Sequence, residues 1–248
     1  MADVLIFVED PGAANYVELL PVALGARGIQ TLLIASGQSV MTLSQAGSHF
    51  REMVTGTDAA ALLKEVRPKL VMVGTAENPD TLGLKLITAA RVAGVMSVGV
   101  VDAMTNAAFR FRGRDASPLA CAPDWVLVPD DPSRSAYKAL GYPTDRIVVC
   151  GHPHFDYIRQ QERVLAEEGR RALRRRILPH ISGDQKVIVF VSELSSGMDA
   201  GQYKMSSDYL LKGYGNSTGR TEVVLEEFLE AIREVHSPYF LILRLHPK

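Results

Sequence analysis

The sequence predicts an α/β fold of two Rossmann-like units, the second of them incomplete, and three observations carry that expectation. Short runs such as VLIFV and LVMVG are apolar at every position, as parallel strands covered on both faces are. These runs alternate with segments of helical length, the order of a doubly wound sheet. The alternation breaks off in a charged stretch after residue 156 and begins again at residue 183.

Along the chain, residues 3–10 (DVLIFVED) read as the first strand. Residues 12–28 read as a helix interrupted by Pro21 and stopped by Gly28, since proline lacks the helical N–H and glycine tolerates a left-handed exit. A strand at 29–36 and a short helix at 38–47, closed by Gly47, come next. Thr57 or Asp58 caps a helix over 57–68, because a short side-chain oxygen there accepts from a free backbone N–H. The run 69–75 is a strand, 78–94 a helix and 95–103 another strand. Residues 122–131 form a strand ending in acids, 132–143 a helix with a glycine stop, and 145–156 a strand running into a turn. Residues 157–179 are charged and helical, with Arg170, Arg171, Arg174, Arg175 and Arg176 near their end. They read as a solvated linker, because a nucleic-acid patch would want interleaved aromatics and a basic net charge. Beyond it lie a strand at 186–192, a helix at 221–235 with Val224, Phe228, Ile232 and Val235 on one stripe, and a strand at 239–245. The expected division is an N-terminal Rossmann-like domain over 1–156, a helical linker over 157–182 and the start of a second Rossmann-like domain over 183–248. Two strands do not make a covered sheet, so the chain reads as C-terminally truncated.

With 248 residues, 47% hydrophobic, the chain can bury a large core, and its formal charge of -1 provides no global field to recruit nucleic acid or an acidic membrane. Anions must be met by local sites. Cys121 and Cys150 lack the C-x-x-C spacing of a metal or redox pair and read as unpaired thiols of a reducing compartment. His152 and His154 stand two apart without a third ligand at zinc-like spacing, so no metal site is assigned. The first residues lack the basic region and long apolar run of a secretory signal, and no stretch reaches the roughly 20 apolar residues of a membrane span. The protein reads as cytoplasmic, with room for a peripheral membrane contact.

Candidate chemistry gathers where strands end, because ligands of open α/β sheets bind at the carboxyl edge. The turn EDPGAAN places Glu9, Asp10 and Asn15 around a helix start whose free amides attract anions, and Gly12 lets a ligand approach the backbone. Alternatively, Asp10 and Pro11 only shape the turn and start the helix. The turn is not a G-x-G-x-x-G dinucleotide fingerprint. Asp102, in VVDAMTNAAFRF, either accepts a proton from a substrate hydroxyl or caps a helix; Asn106 and Arg110 follow it, arginine being suited to phosphate. His152, in GHPHFD, either faces the site or belongs to a turn leaving the domain. Roughly 25 residues separate the strand at 186–192 from its helix, where 2–6 are ordinary. That excursion carries Ser195, Ser196 and Gly197 as a candidate amide nest for phosphate. Lys204, Lys212 and Arg220 are cations for the same anion, and Glu193 is a group to orient a hydroxyl. Arg244 and His246, in RLHP, stand at the end of the last strand either beside that excursion or as ordinary exposed residues.

The two-domain order and the motifs DPGAAN, VVDAMTNAAFRF, VVCGHPHFD and LRLHP together resemble the GT-B superfamily of sugar-nucleotide enzymes. They are similar in particular to bacterial surface-polysaccharide and teichoic-acid type glycosyl or glycerophosphotransferases, and to the hydrolysing UDP-N-acetylglucosamine 2-epimerases. The VVCGHPHFD stretch is similar to the GNP…D at the end of the first domain in such proteins, with His152 where asparagine is common. The resemblance implies a cleft between two domains holding a nucleotide-activated sugar or alcohol. It implies Ser195, Ser196, Gly197, Arg244 and His246 near the donor phosphates, with His246 among the catalytic groups and Asp10 or Asp102 as base. The implied activity is transfer of a sugar or polyol phosphate to a glycan or lipid-linked acceptor, the alternatives being a hydrolysing 2-epimerase or a non-catalytic nucleotide-sugar-binding or partner domain. No tightly bound cofactor is implied, and a divalent cation is compatible. The acidic pair that grips a donor ribose in many members lies farther along than this chain extends, which leaves the donor open.

Overall fold

The computed structural model describes residues 2–54, 56–76, 78–183, 185–193 and 209–245, and the chain divides into two compact units, Met1–Gln160 and Gln161–Lys248. Among the described residues of the first unit, the strands are β1 (Val4–Val8), β2 (Thr31–Ala35), β3 (Arg51–Glu52), β4 (Leu70–Gly74), β5 (Met96–Val100), β6 (Trp125–Val128) and β7 (Ile147–Val149). Its helices are α1 (Pro11–Val17), α2 (Leu20–Gly25), α3 (Gln38–Gln45), α4 (Ala59–Val66), α5 (Leu82–Ala93), α6 (Ala107–Arg110) and α7 (Asp131–Ala139). The helix α8 (His154–Glu168) runs across the division, and α9 (Arg170–Ile177) follows it.

The seven strands pair in parallel in the order β3-β2-β1-β4-β5-β6-β7. From β1 the chain winds outward through β2 and β3, then returns to start the other side at β4. The boundary between β1 and β4 is therefore the topological switch point, where sheets of this kind open a crevice at their carboxyl edge.

β1 shows why its five residues carry no polar position. Successive side chains of a strand point to opposite faces, and here both faces are covered. Leu5 and Phe7 enter one apolar cluster with α4 and α5 residues such as Leu63, Leu86 and Ile87. Val4, Ile6 and Val8 enter another with Ala13, Val17 and Leu43. Fully burying one such side chain contributes about 1.5–3 kcal/mol, so a single polar substitution in β1 would disturb one of the two layers.

The helix starts follow from short polar side chains. Asp10, Asp58, Thr81 and Asp130 each accept a hydrogen bond from a backbone N–H in the first turn of α1, α4, α5 and α7. Asp58 rather than Thr57 therefore caps α4. Residues 12–28 form two short helices with Pro21 in the first turn of the second. Residues 157–179, expected as one helical segment, contain a break at Gly169 between α8 and α9.

In the second unit β8 (Lys186–Val191) and β9 (Tyr239–Arg244) pair in parallel, with α10 (Arg220–Arg233) between them in sequence. This is one β-α-β element. Phe190 of β8 stacks on Phe228 of α10 at 5.6 Å between ring centroids, and Val223 and Ile232 are buried. Arg174 donates to the backbone carbonyls of Ser182 and Gln185, tying α9 to the entry of β8. Among the described residues no helix is long and apolar enough to cross a membrane.

Candidate functional site

At the carboxyl edge of the first unit, side chains from the ends of β1, β4 and β5 meet around Gly12. Arg110 of α6 donates from Nη1 to Asp102 Oδ1 at 2.8 Å and to the Thr75 hydroxyl at 3.0 Å, and from Nε to the Thr105 carbonyl at 3.1 Å. The pair is well covered, with side-chain exposures of 7% for Arg110 and 15% for Asp102. Thr75 is itself fixed, donating to the Val100 carbonyl at 3.0 Å. A buried ion pair is retained where geometry and extra hydrogen bonds offset desolvation, and here a hydroxyl and a carbonyl give the guanidinium two further acceptors. Asp102 does not cap α6; Asn106 occupies that position in a left-handed backbone conformation, φ 59°.

The second carboxylate oxygen of Asp102 lies over Gly12. A Cβ added at residue 12 would stand 1.9 Å from Asp102 Oδ2 and 3.2 Å from Asp10 Oδ1, so glycine is needed here for close approach. Asp10 Oδ1 accepts from the Gly12 N–H at 2.9 Å. Burial pushes the Asp10 carboxyl above its ordinary value and the Asp102 charge pushes it the same way, against the Gly12 N–H and Arg110. Two carboxylates that share a glycine, one ion-paired and one raised, are the arrangement from which acid and base roles divide.

His152 stands beyond β7 in the same unit. Its ring lies 4.8 Å from that of the buried Tyr16 and stacks on Phe155 at 5.0 Å. Burial lowers its pKa and the neighbouring His154 adds to this, while the Asp102 charge opposes both. Tyr16 links α1 to the end of β7, its hydroxyl 2.8 Å from Cys150 Sγ and donating to the Gly151 carbonyl at 3.2 Å. Cys121 and Cys150 are free thiols.

Of the residues expected from sequence, Asp10, Gly12, Asp102 and Arg110 come together, with His152 near enough to feel the Asp102 charge. Asn15 sits half-buried on α1 and Asn106 half-buried before α6. Ser195, Ser196, Gly197, Lys204 and His246 lie outside the described residues. In the second unit Glu193 and Lys212 are exposed. Arg244 ends β9 in register with Val191, and its carbonyl accepts from the Ser192 N–H at 2.9 Å, so it flanks the start of the long excursion. Arg220 opens α10 with its guanidinium 4.7 Å above the Tyr209 ring. Residues 213–215 present an amide nest that the sequence reading missed. The N–H groups of Tyr214 and Gly215 donate to Glu226 at 2.7 and 2.9 Å, and that of Gly213 to Glu227 at 2.9 Å. The glycines flanking Tyr214 were its signal. Thr75 was missed too, although a hydroxyl closing an apolar strand is a local anomaly.

A largely apolar groove of about 880 Å³ lies between α4 and α5, lined by Ala60, Leu63, Leu84 and Val92 among others. The Asp80 and Arg114 side chains at its lining neutralise one another through a two-pronged ion pair. Acid–base groups converge instead at the strand tips, and that edge is the candidate site. Among the described residues no group of three or more His, Cys, Asp or Glu is placed to hold a metal ion.

No protein-family model matches the sequence, and no curated protein sequence does. Solved structures do. UDP-GlcNAc 2-epimerase from Neisseria meningitidis, bound to UDP-GlcNAc, is similar at a TM-score of 0.67 and 13% identity, over 98% of this chain and 66% of that one. An S. aureus MnaA–UDP co-structure is similar at 0.62 and 14%, over 100% and 64%. The fold is of the GT-B type. A glycotransferase of kitacinnamycin shares it at 0.50 and 14%, over 98% of this chain and 65% of that one. The chain thus spans about two thirds of the length of these GT-B neighbours. At such identities the likeness concerns the fold, and the reaction has to be argued from the side chains.

Proposed function

We propose that this chain belongs to a nucleotide-sugar enzyme in which the first unit supplies the acid–base groups and the second takes the nucleotide. The observation that carries the reading is Asp102, anchored by buried Arg110 through one oxygen while the other lies over Gly12 beside Asp10. Asp102 is the general base: it takes the proton of an acceptor hydroxyl as that oxygen bonds to the transferred sugar or polyol phosphate and the nucleotide departs. Asp10, whose carboxyl burial pushes above its ordinary value, is the second carboxylate of the pair. Arg244 and the residues of the long excursion are assigned to the donor phosphates, His246 to the departing group, and a glycan or lipid-linked molecule is the acceptor. The step uses no tightly bound cofactor, and a divalent ion accompanying the diphosphate would arrive with the substrate.

The paired carboxylates also favour a second reading, a hydrolysing 2-epimerase, which needs several carboxylates around the sugar ring; the neighbours of higher TM-score include a UDP-GlcNAc 2-epimerase. Incubating the protein with UDP-GlcNAc and other nucleotide sugars, and following nucleotide release by chromatography, tests both. Release only with an added acceptor supports transfer, and acceptor-independent release with an epimerised sugar supports the second reading. Asp102→Asn is expected to lower either rate by about 10²–10⁴-fold; an unchanged rate would remove Asp102 from the chemistry.

A further inference from the structure

Glu9 is the last residue before the Asp10 turn, at the switch point between β1 and β4, and its carboxylate is only half used. Oε1 accepts a long hydrogen bond, 3.4 Å, from Asn78 Nδ2 in the loop after β4. Oε2 is buried and, among the described residues, meets no donor. The surroundings nevertheless hold the residue in place. Its backbone carbonyl accepts from the Ser39 N–H at 3.1 Å. Gly37 adopts φ 58°, and a Cβ there would come within 3.2 Å of Glu9 Cγ, so the chain keeps a left-handed glycine where any side chain would crowd Glu9. Asn78 is oriented as well, because its Oδ1 accepts from the Asp80 N–H at 3.1 Å and thereby turns Nδ2 toward Glu9. Arg114 grips Asp80 through two hydrogen bonds and braces that loop.

Glu9 Oε1, on a carboxylate held in place, therefore faces a fixed donor across a contact longer than an ordinary N–H···O bond. A cation would suit the carboxylate but meet the amide's hydrogens, and an anion would suit the amide but meet the carboxylate. A hydroxyl satisfies both, donating to one and accepting from the other. We propose that Glu9 and Asn78 together recognise a hydroxyl group of the substrate, making Glu9 a specificity-determining residue. The inference rests on the nucleotide-sugar reading above, which assigns the nucleotide to the second unit, so of the substrate's two sources of hydroxyl, the sugar ring and the ribose, the sugar ring is the one meant.

Calorimetric titration of the wild-type protein, Glu9→Ala and Asn78→Ala with UDP-GlcNAc and with UDP tests it. Losing a hydrogen bond to a charged partner is expected to weaken binding by about 10–100-fold. Weakening confined to UDP-GlcNAc places the hydroxyl on the sugar ring and supports the inference; equal weakening for UDP, whose nucleotide is assigned to the second unit, overturns it. Wild-type binding that both variants retain overturns it while leaving the Asp102 assignment standing, whereas a wild-type protein that binds neither probe overturns both. A second measurement needs no ligand. Glu9→Met removes an unpaired buried oxygen and is expected to raise the melting temperature by about 2–4 °C; a fall would show that Glu9 serves the fold, and would overturn the inference.

Discussion

Replacing Gly12 by alanine tests the central geometry of the site. The backbone at Gly12 lies outside the left-handed region, so alanine in the first turn of α1 would by itself favour the helix by about 1 kcal/mol. The added methyl, however, would stand 1.9 Å from Asp102 Oδ2, which must retreat by about 1.1 Å to reach even a 3.0 Å contact. Asp102 cannot retreat freely, because its other oxygen is held at 2.8 Å by an arginine that is 7% exposed. Weakening a charged hydrogen bond of this kind costs about 1.5–3 kcal/mol, and stranding a buried charge costs about 3–5 kcal/mol. Since Asp102 is displaced and not removed, we take about 3 kcal/mol, which leaves a net loss of about 2 kcal/mol and a fall of about 4–8 °C in Tm. In an Asp102→Ala background only the 3.2 Å approach to Asp10 Oδ1 remains, and the same substitution should no longer lower Tm. Differential scanning calorimetry on the four proteins of this cycle gives the coupling directly. An equal shift in both backgrounds would refute the placement of Asp102 over Gly12.

Arg110→Met should destabilise by about 3–5 kcal/mol, because it leaves Asp102 and Thr75 without their donor; Arg110→Lys should recover part of the loss, as urea denaturation would show. Asp10→Asn keeps an equally good cap. The folded Asp10 carboxyl has a pKa above 3.8, so its stabilising contribution is complete below that value and is lost as pH rises through the folded pKa. The variant should therefore gain on the wild type toward neutral pH in thermal melts, and a gap independent of pH would count against the raised value. His152 behaves oppositely. Its folded pKa lies below 6.5, so the unfolded chain binds the proton more tightly and stability falls as pH drops below that value; His152→Gln should flatten this slope in the same melts.

The first sheet was legible because parallel strands buried on both faces leave an unbroken apolar signature, as VLIFV and LVMVG do. β3 was not, since Arg51 and Glu52 are exposed and polar and pair with only the end of β2. Caps were legible one residue at a time, with Thr57 and Asp58 both qualifying until geometry chose Asp58. The strand-tip rule brought Asp10 and Asp102 to one edge, but nothing local says that one carboxylate oxygen settles on a glycine 90 positions away. The same holds for Arg110: sequence offered it to phosphate, whereas the fold places its guanidinium against Asp102, Thr75 and the Thr105 carbonyl. Side-chain pairing depends on tertiary distances that periodicity does not encode.

Because every strand of the first sheet points the same way, its amino edge carries turns that take no part in the assigned chemistry. The exposed corners at residues 25–28 and 91–94 lie there, at the exits of α2 and α5. A peptide tag, a fluorescent insert or a surface tether introduced at either corner should be accommodated without disturbing Asp102, and would present the opposite edge to solution for immobilised binding measurements.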